Sequence, residues 1–219
     1  MFVDESGSQE GRSAYYVVTY VLHDQVEDVA ARFAMYEESL AKRGLPNIPF
    51  HANPLMRGNE DYAGMSIEGR KYLMVSFGML VQKLPIRYRS FVYRSREFGT
   101  PDKLQSLIRR DLAALLADNL EYFQSFDCVK IYYDRGQPAV TGALEAAFGY
   151  VLSKEAAVRR ESDYRCYRLA QVADYLCEIE LAAVKYEHGE QTETDNKFFG
   201  GKGPFKKNWL KQARRKLLG

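Results

Sequence analysis

The chain begins MFVDESGSQEGRSAYYVVTYVL (residues 1–22). Within it, SAYYVVTYVL (13–22) is apolar on both faces, which predicts a central strand covered on both sides. FVD (2–4) predicts a shorter strand before it, and GSQEG (7–11) supplies turn residues, so the two are expected to pair as a hairpin. The first strand runs into adjacent acids, Asp4 and Glu5. Acids at that place either decorate a solvated turn or face a cation.

Outward from the hairpin, residues 24–43 predict a helix, with Gly44 as its stop and Pro46 soon after. Residues 45–64 hold three prolines and two glycines and predict an irregular segment. Ser66 caps a helix to about residue 84, and IRYRSFVYR (86–94) alternates as a strand does. Thr100-Pro101 opens a further helix, with Leu104, Leu107, Ile108, Leu112, Leu115 and Leu116 at helical spacing. FDCVKIYYD (126–134) is a strand ending in an acid, and 138–153 is a helix. DYRCYRL (163–169) is the last candidate strand, and QVADYLCEIELAAVKY (171–186) is an amphipathic helix. A hairpin followed by strands alternating with helices predicts one α/β domain over residues 1–219, a mixed sheet with helices on both faces. Sites in such sheets form at the carboxyl ends of strands, where Asp4 and Asp134 are expected.

Composition limits the function classes. At 219 residues, 46% hydrophobic and 27% charged, the chain is built to fold around one sizeable core. No apolar run approaches the roughly 18 residues of a membrane span, and no signal peptide is evident, so the expected address is the cytoplasm. Cys128, Cys166 and Cys177 lack CxxC spacing, which argues against a disulfide framework or a zinc site. The net charge of +2 is segregated: residues 1–196 carry −6 and the segment 197–219 carries +8. An acidic body with a basic tail suits a polyanionic partner, or simply a solvated terminal helix.

Three carboxylates are candidates for one site. Asp4 and Asp134 end apolar strands, and Asp174 shares a helical stripe with Gln171 and Glu178 at i, i+3 and i+7. Carboxylates drawn together repel unless a cation offsets them, and oxygen-only sites suit Mg2+ or Mn2+. A pair of such ions activates water and stabilises the leaving oxygen in phosphodiester cleavage. The bland alternative is three separate structural acids.

MFVDESG, FHA (50–52), YYDRG, QVADYL and KFFGGKGPFKKNWL (197–210) together, in this order, resemble the signature stretches of domain-of-unknown-function family 3800. That family is similar to the ribonuclease-H-like superfamily of metal-dependent nucleases and transposases. The resemblance implies a ribonuclease-H-like fold with two divalent ions on Asp4, Asp134 and Asp174. It implies a nuclease, with a catalytically silent module that binds nucleic acid or a protein as the alternative. An enzyme acting on a small phosphorylated molecule is a third reading. Two departures stand out: a helix and a proline-rich segment follow the second strand, and no evident acid matches the extra helix glutamate of ribonuclease H.

Glu5 or His51 could supply that missing group. Glu5 can join Asp4 only if the chain turns at once after it, because side chains alternate along a strand. His51 sits in the stiffened PFHANP segment and could bind metal, orient a phosphate or be structural. Arg135 could contact a phosphate or pair with an acid. Lys202, Lys206, Lys207, Lys211 and Arg214 are expected to extend a positive surface beside the acids for a nucleic-acid backbone, with DNA and RNA both open.

Overall fold

The computed structural model describes residues 1–7, 13–134, 136–152, 157–161 (backbone only) and 165–218. Among the described residues five strands form one sheet: β1 (Phe2–Gly7), β2 (Tyr15–His23), β3 (Ile86–Arg94), β4 (Val129–Tyr133) and β5 (Ala157–Glu161). Their order is β3-β2-β1-β4-β5. β1 is antiparallel to β2 and parallel to β4; β2 and β3 are antiparallel, and β4 and β5 are parallel. The first three strands are thus antiparallel neighbours although residues 24–85 separate β2 from β3.

That insertion carries α1 (Ala30–Ala41), α2 (Ala52–Arg57) and α3 (Ile67–Lys83). α3 starts where Ser66 accepts the Gly69 N–H at 3.1 Å, the N-cap bond anticipated from sequence. α1 begins six residues later than its composition suggests. Asp24 and Asp28 instead accept the backbone N–H groups of Val26 and Ala30, and these local bonds favour turns over helix. After β3 come α4 (Ser95–Phe98), α5 (Pro101–Asp118) and α6 (Leu120–Gln124); α7 (Pro138–Val151) links β4 to β5. α8 (Arg168–His188) and α9 (Glu193–Phe199) lead into the tail. Residues 163–164 of the strand expected over 163–169 lie outside the described residues; residues 165–167 turn into α8 instead, and among the described residues the last strand is β5.

Helices cover both faces, as alternation requires. Phe2 and Val21 belong to a core shared with α1, α3 and α8, whereas Val3, Tyr16, Val18 and Tyr20 pack against α5 and α7. The α8 face is apolar with one interruption. Val21 and Val17 flank Thr19 on that face, and Thr19 is opposite Asp4 on one side and Ser90 on the other. Thr19 and Ser90 hydroxyls are 2.8 Å apart, so Thr19, though fully buried, is satisfied. A polar row therefore crosses three strands beneath α8, and a small separate cluster of Tyr15, Val17, Cys177 and Leu181 lies beyond it.

Candidate functional site

The polar row continues onto β4. β1 and β4 pair Phe2 with Tyr132 and Val3 with Tyr133, so continuing the register sets Asp134 opposite Asp4. Both acids share the parity of Phe2 and Tyr132, whose rings stack at 4.6 Å on the α8 side. Asp4 is not the last residue of its strand, however. β1 runs on through Glu5 and Ser6 to Gly7, pairing with β2 to Tyr16. The immediate turn that would bring Glu5 beside Asp4 does not occur. Glu5 takes the opposite face, where its carboxylate accepts hydrogen bonds from the Tyr133 hydroxyl and the Gln137 N–H.

Charge repulsion ties these groups together. Burial pushes Asp4 well above the usual carboxylate range, and Asp174, Glu5 and Asp134 push it the same way. Asp174 itself is raised to about 7, first by burial and then by Glu178, against the lowering effect of the Ala52 N–H. Burial also raises Glu5, with Asp134 adding to it and the Tyr133 and Gln137 bonds opposing. The buried Cys177 thiol beneath the row is raised by burial and then by the Asp4 carboxylate, so it is an inert filler rather than a nucleophile.

Asp174 arrives from α8 and has a second task. Its Oδ2 accepts the Ala52 N–H at 2.7 Å, and Gln171 one turn earlier accepts the Phe50 N–H at 3.1 Å. The Phe50 ring is buried, stacked on Phe77 at 4.0 Å. FHA is thus pinned to α8 by two side-chain acceptors and one aromatic plug, which gives α2 an acceptor for an otherwise orphaned first N–H. His51, between the pinned residues, turns elsewhere. Its Nδ1 is 3.7 Å from Glu60, and burial lowers its pKa despite that carboxylate. Glu60 raises the His51 pKa and Arg165 lowers it.

Sequence reasoning missed Glu178 as a site residue. It continues the stripe of Gln171 and Asp174, is only 6% exposed, and lines a cavity of about 420 Å³ beside the end of β1. Burial lifts its pKa to about 7, Asp195 adds to this, and Lys185 and Arg57 oppose it. The i, i+4 spacing from Asp174 was the available signal.

The basic tail splits in two. Lys202, Lys206, Lys207 and Lys211 are exposed. Arg214 is engaged: its guanidinium makes two hydrogen bonds to Glu180, at 3.1 and 2.8 Å, and Tyr88 donates to the same carboxylate at 2.7 Å. Glu180 follows Asp174 by six residues, about 120° around α8. Leu217 bridges to Tyr88 on edge strand β3, so the end of the tail leans away from β4. Arg135 lies outside the described residues.

The donors of the acid row are all carboxylate oxygens, and Asp4 carries uncompensated repulsion that a divalent cation would relieve. By chemistry the row fits Mg2+ or Mn2+. Among the described residues no three His, Cys, Asp or Glu side chains converge into a ready-made cage, so the fit is in charge and donor type. No helix among the described residues is long and apolar enough to cross a membrane. No family model, curated protein or solved structure matches the chain.

Proposed function

We propose that the chain is a ribonuclease-H-like, divalent-metal-dependent phosphodiesterase acting on nucleic acid, as the resemblance to domain-of-unknown-function family 3800 implies. The supporting observation is that the charges of Asp174 and Asp134 both raise the pKa of Asp4, with the β1–β4 register, continued one residue past Val3 and Tyr133, bringing Asp134 level with Asp4. Three antiparallel strands followed by two parallel ones are consistent with that fold.

Mg2+ or Mn2+, as a pair when bound, supplies Lewis-acid activation of the phosphodiester and of water. Asp4 and Asp134 would hold it from the sheet, and Asp174 from the helix through Oδ1, since Oδ2 is committed to Ala52. Glu5 stays outside this set, bound to Tyr133, and reinforces the negative potential. The exposed lysines of the tail raise the local concentration of a polyanion. The test is Mn2+ calorimetry with cleavage of labelled RNA and DNA, comparing wild type with Asp134→Asn. Asp134 is exposed, so this variant should fold. Wild type should bind Mn2+ and cleave, and the variant should lose both; a wild type that takes up no Mn2+ at millimolar concentration refutes the reading.

Two observations favour the silent module instead. Asp174 already serves as a structural acceptor, and the described acids are not converged. Polymer binding without cleavage at any Mn2+ concentration would select that reading.

A further inference from the structure

The cavity beside β1 has a chemistry distinct from the acid row. It is bordered by Ser6 of β1, Ser13 just before β2, Asn53 and Arg57 from α2, Glu178 and Lys185 from α8, and the start of α9. Of the four charged residues in the described lining, two satisfy each other. Asp195 accepts the Thr192 N–H and hydroxyl at 2.7 and 2.8 Å, and Lys185 lies 3.6 Å from it. The other two do not. Among the described residues Glu178 has no hydrogen-bond or ion-pair partner, although it is 6% exposed, and Lys185 and then Arg57 act on it only across a gap.

A carboxylate that faces a cavity, with the Lys185 and Arg57 cations also on its wall, suits a ligand that donates on one side and is anionic on the other. A bare phosphate would meet two carboxylates, and a bare cation would meet Arg57 and Lys185. The described lining contains no aromatic ring, so the cavity offers no platform on which a base could stack. Hydroxyl and amide groups from Ser6, Ser13, Asn53 and Thr194 suit a sugar. Position supports the same conclusion: Ser6 is two residues past Asp4 on the same strand face, and Glu178 is one helical turn past Asp174.

We propose that this cavity is the subsite for a ribose adjoining the scissile phosphate, with Glu178 accepting a hydrogen bond from the 2′-hydroxyl and Arg57 meeting a backbone phosphate. The inference rests on the phosphodiesterase reading and narrows its substrate to RNA. DNA would set a C–H against Glu178 and leave the carboxylate unsatisfied.

Fluorescence anisotropy in EDTA tests it, using short single-stranded RNA, DNA of the same sequence and the 2′-O-methyl RNA. Wild type should bind RNA about tenfold or more tighter than DNA, the worth of one hydrogen bond to a charged acceptor, with the 2′-O-methyl strand falling toward DNA. Glu178→Ala should abolish the advantage by weakening RNA alone, and Arg57→Ala should weaken RNA and DNA alike. Should Glu178→Ala fail to fold, Glu178→Gln keeps the shape and should still reduce the advantage several-fold. Equal affinity of wild type for RNA and DNA, a Glu178 variant that weakens both equally, or absence of binding to either strand overturns the proposal. Because no metal is present, failure here is separable from failure of Mn2+-dependent cleavage.

Discussion

Glu178 offers a measurement that depends on neither metal nor substrate. It is nearly fully buried and unpartnered among the described residues, and burial moves its pKa from the usual 4.5 to about 7. A raised acid pKa means that the folded chain holds the proton more tightly than the unfolded chain. Below pH 4.5 Glu178 is protonated in both states and its ionisation costs nothing. Between pH 4.5 and 7 the unfolded chain ionises first, and folded stability falls. Above pH 7 the full penalty is present. A gap of about two and a half pH decades at about 1.4 kcal/mol each makes that penalty about 3 kcal/mol.

Glu178→Gln removes the charge and keeps the shape. It should therefore be about as stable as wild type at pH 4.5 and more stable by about 3 kcal/mol at pH 8, a rise in Tm of roughly 6–12 °C for a chain of this size. The variant should gain further because Glu178 also raises Asp174. Urea and thermal melts of both proteins between pH 4.5 and 8.5, in EDTA, provide the comparison. A difference that is flat in pH would refute the reasoning. A variant less stable than wild type at pH 8 would do so more directly, because it would mean that Lys185 or Arg57 already neutralises the carboxylate.

Other outcomes follow from the same charges. Asp4→Asn should raise the metal-free Tm and should lose the stabilisation that wild type gains from Mn2+, about 3 kcal/mol at one hundred times the Kd; melts with and without Mn2+ show both. Asp174→Asn keeps an acceptor for the Ala52 N–H, whereas Asp174→Ala strands it, so the Asn variant should be the more stable of the two by about 1–3 kcal/mol in urea melts. Arg214→Ala removes two hydrogen bonds from the mostly buried Glu180 and should cost about 1–2 kcal/mol with little change in polymer affinity. The triple change of Lys206, Lys207 and Lys211 to Gln should behave the other way. It should leave the melt unchanged and flatten the log–log salt dependence of binding by about 0.7 per lost contact on a single strand.

Elements with local causes were legible in the sequence. β3 starts and stops where its alternation does, and the Ser66 and Thr100 caps are in place. Misread boundaries have non-local causes. β1 extends past the acids because β2 offers it partners as far as Tyr16, a fact that lies in register rather than in the residues DESG. The short α2 in the proline-rich segment is completed by acceptors on α8 more than one hundred residues away. Charge segregation was visible in the tail, but the capture of Arg214 by Glu180 needed the crossing of α8 over β3.

The stripe on α8 joins these threads. Gln171, Asp174 and Glu178 face the same side at helical spacing, and each meets a different demand. Gln171 docks a backbone and accepts from Arg168, Asp174 docks a backbone with one oxygen and is repelled by Asp4 with its charge, and Glu178 faces an open cavity. The position of α2 and the charge state of the acid row therefore share a residue. Protonating Asp174 would weaken its bond to Ala52, since a neutral carboxyl accepts less strongly than a carboxylate. A cation on the row would hold Asp174 ionised and strengthen that bond. By this linkage a divalent ion, if the row holds one as proposed, would tighten the FHA segment against α8 as well as relieve Asp4. Asn53 and Arg57, which follow Ala52 on α2, are then held against the cavity that Glu178 lines.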